Sequence, residues 1–163
     1  MNVPRETIAA AFFGLMQQLS QTNGGPFVTV TRTYLLPTKV SYDADPGLYV
    51  VEWNESVDER QSKGEELYDF PIWVIILTQM PDPSSGIAPG AALNPLIDAV
   101  DNKIARTLIS GGNYISVSPG ESQTLGGIVN NCFPNGKIEK GDGSMFGLPH
   151  VFAKIPVSIV TGV

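Results

Sequence analysis

The densest set of potentially reactive residues is the stretch TLGGIVNNCFPNGKIEKGDG, residues 124–143, with five glycines, two lysines and the chain's only cysteine. Such a run raises three possible chemistries: a phosphate cradle, a calcium loop or a reactive thiol. A phosphate cradle requires Gly-Lys followed by Ser or Thr at a helix start, where the hydroxyl meets Mg²⁺. Here Gly136-Lys137 runs into Ile138 and Glu139 in a strand-like pattern, and no Gly-x-Gly-x-x-Gly marks a strand-to-helix junction. A calcium loop needs several alternating oxygen ligands, and KGDGS offers Asp142 alone. Cys132 sits between Asn131 and Phe133 in an apolar run, where free cysteine behaves as a small core hydrophobe. His150 is the only histidine, and one His with one Cys does not make a metal site. A Cys132–His150 nucleophilic pair, as in a small hydrolase, would require the two to meet within hydrogen-bond reach. Asp43 and Asp45 of YDADPG read as turn-formers, and Asn135-Gly136 and Asp142-Gly143 as hairpin turns. No catalytic residue, cofactor or metal is expected from these residues.

One charge cluster stands apart. Glu55, Asp58, Glu59, Glu65, Glu66 and Asp69, with Arg60 and Lys63, place −4 of the chain's −6 in one short segment. The bland reading is a solvated face. The sharper one is an electrostatic surface that meets a partner or lines a pore. The net charge of −6 and pI near 4.6 argue against tight nucleic-acid binding, because an acidic chain lacks the counterion-release term. DNA can still pass such a surface without being held.

These residues need a scaffold, and 163 residues suit a single domain over 1–163 that buries a core without staples. Charged residues make up 16% and hydrophobic ones 42%, less hydrophilic surface than a solitary protein usually carries, which suggests self-association. The N-terminal sequence has no basic region or cleavage site, and neither its apolar run nor FPIWVIIL is long enough to span a bilayer. A cytoplasm-like compartment is expected, and no membrane partner.

Pro4 opens a helix over about 4–20, with Ile8, Phe12, Leu15, Met16 and Leu19 as its apolar stripe. FVTVTRTYLL (27–36) and LYVVEW (48–53) read as strands, and FPIWVIIL (70–77) as a central strand covered on both sides. Residues 80–95 read as a long surface loop. Asn94 then caps a second helix with Pro95 at its first position, Ile97, Val100, Ile104 and Leu108 as its stripe, and Gly111-Gly112 as its stop. The helix charges suit its dipole, with Asp98 early and Arg106 late. IVNNCF and KIE flank the Asn-Gly hairpin. HVFAKIPVSIV (150–160) alternates as a strand that is an edge or carries a bulge, because Pro156 cannot donate to a ladder. The expected fold is α+β, a compact domain with a mainly antiparallel β-sheet and two principal helices packed on it.

This order resembles the tail terminator (tail completion) proteins of long-tailed bacteriophages. The matching parts are ETIAAAFFGLMQQL, FVTVTRTYLLP, the strand ending IILT, NPLIDAVDNKIARTL, TLGGIVNNCFPNGKIEKGDG and the closing VFAKIPVSIV. The resemblance covers nearly the whole chain and lies in order and texture rather than in one motif. It implies a non-enzymatic virion protein, assembled in the host cytoplasm, that forms a hexameric ring on the head-proximal end of the tail tube. Its partners would be further copies of itself, the tail tube protein and the head–tail connector proteins, with DNA passing through unbound. On this reading the segment from Glu55 to Asp69 faces the lumen or the tube-contacting rim. Strand 150–160 and loop 80–95 are then candidates for the two patches of a closed heterologous interface. A head–tail joining or baseplate subunit is the neighbouring alternative.

Overall fold

Both helices lie on one face of a seven-stranded sheet, in the computed structural model of the chain. It describes residues 3–32, 45–52, 56–58, 67–104, 124–142 and 150–162, with backbone alone for 56–58 and 67. The first helix, α1, spans Arg5–Gln17, and Pro4 stands at its N-cap. A proline there loses nothing, since that N–H would have no intrahelical partner; its carbonyl accepts the amides of Thr7 and Ile8 at 2.9 and 3.2 Å. Ile8, Phe12, Leu15 and Met16 are buried, as the stripe predicts, and Leu19 joins them just past the helix. The α-helix stops short of residue 20 because the amides of Gln18 and Leu19 turn to the carbonyls three residues back.

The strands are β1 (Thr29–Thr31), β2 (Gly47–Glu52), β3 (Ser56–Asp58), β4 (Leu67–Gln79), β5 (Asn131–Pro134), β6 (Glu139–Asp142) and β7 (His150–Gly162). They run in the order β1-β2-β4-β7-β5, with β3 also on β4 and β6 also on β7. Every pairing is antiparallel except β1 with β2. The expected α+β fold with a mainly antiparallel sheet is therefore the fold observed. Residues 33–36 of the first predicted strand, and Asp43 of the turn after it, lie outside the described residues. Asp45 accepts the Gln79 amide through Oδ2 at 2.7 Å, across a cis Asp45-Pro46 bond.

The core follows from strand alternation. Leu48 and Val50 of β2, Phe70, Ile72, Val74 and Ile76 of β4, and Val151, Ala153, Ile155, Val157 and Ile159 of β7 all face the helices and are buried. The odd-numbered β4 residues face the other way. Pro71, Trp73, Ile75 and Leu77 are only half-buried and stand outside the core cluster. The strand is central, as expected; among the described residues the helices lie on one face, and on the other Tyr49 of β2, opposite Ile75, is only 2% exposed, so that face is covered there as well.

Three further expectations change. The second helix, α2, spans Pro89–Ile104, so Asn94 is not its cap and Pro95 lies inside it. The loop shrinks to residues 80–88, and within it Asp82 caps a 3₁₀ turn at Pro83–Ser85 by accepting the Ser84 amide at 2.8 Å. Ala91, Ala92 and Leu93 are strong helix formers, and burying Leu93 (2% exposed) offsets the one backbone bond that Pro95 cannot make. Ile97, Val100 and Ile104 are buried as expected; Arg106, Leu108 and Gly111-Gly112 lie outside the described residues.

The strand β7 is not an edge, since β4 flanks one side and β5 and β6 flank the other. Nor do β5 and β6 form a hairpin about Asn135-Gly136: both run antiparallel to β7, one after the other. Pro134 pairs with Val157 and Glu139 with Lys154, so four residues of one chain segment oppose two of the other. This bulge sits beside Pro156, whose carbonyl accepts the Asn135 amide at 2.9 Å. N–H and C=O of a strand residue point the same way, so the donor that Pro156 lacks would also have faced the bulge. The bulge half of the expectation holds, and the edge half does not.

A forked ion pair fastens the helix layer to the sheet. Arg32 donates to Glu6 of α1 at 2.6 Å and to Glu52 of β2 at 2.5 Å. That Arg32 hydrogen bond holds the Glu6 carboxyl below the usual carboxylate range, and Glu6 and Glu52 together keep the Arg32 guanidinium charged.

Candidate assembly surface

Of the sequence-predicted acidic surface, the described residues hold Asp58, in β3, and Asp69, in β4. Asp58 ends β3 opposite Leu67, the first residue of β4. Glu55, Glu59, Arg60, Lys63, Glu65 and Glu66 lie outside the described residues. Asp69 is half-buried on the sheet face away from the helices. Ser158 donates to its Oδ2 at 3.3 Å, and Asn135 donates through Nδ2 to the Ser158 hydroxyl at 2.9 Å. Its other oxygen, Oδ1, is buried with no hydrogen-bond partner among the described residues. Asp69 is therefore held in a polar chain across β4, β7 and the bulge, rather than standing with the solvated carboxylates expected of this segment.

The second feature is the outer sheet face itself, which the sequence reading missed. Trp73, Ile75 and Leu77 of β4 lie beside Phe152, Lys154 and Pro156 of β7, all half-buried. The Lys154 ammonium stands 3.1 Å from the centroid of the Trp73 ring and 3.8 Å from the Glu139 carboxylate. A lysine so placed lays its stem on apolar surface and its charge on the ring face. The result is an apolar platform with one cation. Its signal was present in FPIWVIIL, which is apolar at odd and even positions alike. Nothing in the sequence said which face the helices would leave.

The edge beyond β5 is closed to an added strand. Cys132 points its amide outward, where the Asn131 side chain accepts it at 2.9 Å, and Pro134, the next outward residue, has no amide to offer. A capped donor followed by a missing one is a standard way to blunt a sheet edge.

The nucleophile candidates are kept apart. Cys132 pairs with Ile159, nine positions along β7 from His150, and strand alternation puts the two on opposite faces. At about 3.3 Å per residue they are roughly 30 Å apart, so no proton passes between them. Cys132 is fully buried, and burial pushes its thiol pKa up to about 12. A thiol held neutral favours the fold while the unfolded thiol is also neutral. That contribution is whole below about pH 8.5, the ordinary thiol value, and is lost as pH rises towards about 12. We expect Cys132 to resist iodoacetamide at pH 8 in the native protein and to react at the rate of a free thiol in denaturant. Rapid native labelling would show that the site is open. Among the described residues no group of three His, Cys, Asp or Glu side chains could hold a metal ion, and no helix is long and apolar enough to cross a membrane.

No protein-family model matches this chain, and no curated protein matches it either.

Proposed function

We propose that this protein is a structural subunit of a long-tailed phage, a tail terminator whose copies form a ring on the head-proximal end of the tail tube. The ring stops tube growth and offers the surface on which the DNA-filled head docks. The observation that carries this reading is the outer sheet face. Trp73, Ile75, Leu77, Phe152 and Pro156 form an apolar platform of the kind that an assembled subunit covers. The order of helix, strands, helix and closing strand, which the described elements follow, supports it as well. The interior place of β7 changes how such a ring closes. Strand 150–160 has no edge to give, so face contacts take that role. Asp58 ends β3 opposite Leu67, at the end of the sheet where Leu67 pairs with Gly162, a position suited to a rim or lumen that DNA passes without sticking.

The test combines the mass of the purified protein in solution with its effect on polymerising tube protein. A multimer that arrests growth at one tube end is the expected result. Tubes that lengthen at both ends in its presence would refute the assignment.

A further inference from the structure

Asparagine is a thermolabile residue, most of all before glycine, whose bare Cα lets the backbone fold back on the side chain. The glycine amide nitrogen loses its proton to solvent and attacks the side-chain carbonyl carbon. Ammonia leaves, and water opens the succinimide ring to aspartate or isoaspartate. The chain has two such pairs, Asn23-Gly24 and Asn135-Gly136, and both are exposed. Their hydrogen bonds set them apart. In the turn after α1 the attacking nitrogen is engaged, since the Gly24 amide donates to the Gln21 carbonyl at 3.0 Å. Asn23 Nδ2 donates in turn to the Gln17 carbonyl at 2.9 Å and to the Ser20 hydroxyl at 3.1 Å. Attack there breaks the turn. In the bulge opposite Pro156, the Gly136 amide has no hydrogen-bond partner among the described residues, while the Asn135 amide is anchored on the Pro156 carbonyl at 2.9 Å.

The fold gives each residue of this pair a task. Gly136 has a φ of 118°, a conformation open to glycine and not to most side chains. Asn135 heads a relay: its Nδ2 donates to the Ser158 hydroxyl at 2.9 Å, and Ser158 donates to Asp69 Oδ2 at 3.3 Å. The direction is forced, because a carboxylate only accepts, so the one Ser158 proton goes to Asp69 and the Ser158 oxygen takes a proton from the amide. An aspartate at 135 has no proton to give. Two carboxylates then compete for one hydroxyl, and the loser is left facing the other's charge.

We propose that Asn135-Gly136 is a self-modification site: the chain converts its own asparagine to a carboxylate there, and the new charge acts on Asp69 through Ser158. Water is the only co-reactant and ammonia the only product lost. The bulge thereby carries a slow, one-way change that adds negative charge beside Asp69, on the sheet face away from the helices. It needs neither a second copy nor a tube, and so stands apart from the terminator reading.

Timed incubation of the purified protein at pH 8, native and in denaturant, tests the site. Digestion and peptide mass follow the change from amide to acid, and enzymatic methylation counts isoaspartate. In the native protein Asn135 is expected to react at least about tenfold faster than Asn23, the factor set by the hydrogen bonds that hold Gly24 and Asn23. In denaturant the two react at comparable rates. A native ratio no larger than the denatured one would overturn the site. The action on Asp69 is read from urea midpoints. Asn135→Asp is expected to lower the midpoint in the wild-type background and to lower it much less beside Asp69→Asn. No loss in the wild-type background, or equal losses in both, would overturn the coupling. No tube protein enters either measurement, so their outcome is independent of whether the chain caps a tail.

Discussion

Gly25→Ala is expected to destabilise the protein by on the order of 3 kcal/mol or more, while Gly24→Ala, one residue earlier, costs about 1. The two glycines occupy the turn after α1 and look interchangeable in QTNGGP. Gly24 takes a positive φ of 81° with open space around the site of a Cβ, so alanine there meets only backbone strain. At Gly25 a Cβ would fall 2.0 Å from the Leu19 carbonyl oxygen and 2.2 Å from its carbon. Those are backbone atoms of a tightly bonded turn and cannot swing aside as a side chain can. The same Leu19 carbonyl accepts the Phe27 amide at 3.1 Å, the Phe27 carbonyl accepts Gln21 at 2.8 Å, and Gly25 itself donates to Ser20 at 2.9 Å. Displacing the turn therefore breaks several bonds at once and pulls the fully buried Phe27 from the core. Urea unfolding of both variants measures the contrast; equal midpoints would show that the chain bends there without cost.

A second pair of neighbours tests which side of the sheet carries the fold. Ile155→Ala is expected to cost roughly 2–5 kcal/mol, since Ile155 is fully buried beside Val74 and its loss leaves a cavity beneath the helices. Lys154→Ala, on the opposite face, removes a cation–π contact and an exposed ion pair, together worth about 1 kcal/mol or less. If the outer face is an assembly surface, Trp73→Ala disturbs association more than it lowers the unfolding midpoint. Sedimentation beside urea unfolding separates the two effects. A midpoint for Lys154→Ala as low as that for Ile155→Ala would mean that the outer face is core as well.

What was legible in the sequence was periodicity. The stripe from Ile8 to Leu19 and the alternation of 150–160 name their buried residues directly, because helix and strand periods are properties of the local chain. Pairing is not local. Asn135-Gly136 has the composition of a hairpin turn, yet the strands on either side both pair with β7 further along the chain rather than with each other. Asn94-Pro95 has the chemistry of a helix start, yet Ala91, Ala92 and Leu93 carry the helix back to Pro89 because Leu93 has a core to enter. Pro156 told of a missing donor, and only the packing shows the bulge that receives it. For the candidate surface, the acidic residues were visible as a composition. Trp73 and Lys154 were not, since their meeting is a matter of register between strands far apart in the chain.

The thirteen-residue β4–β7 ladder has a consequence for the order in which the chain takes shape. Its register joins Leu67 to Gly162 and Gln79 to His150, segments roughly 70 to 95 residues apart, so closing it is among the costlier loop closures the fold makes. On the ribosome β4 emerges well before β7 and meets only β2 and β3 along one side. Its other edge, in the most continuously apolar strand of the chain, must wait for the closing strand. Nascent chains halted before His150 thus carry an open, sticky edge, the species that chaperones bind and aggregates recruit.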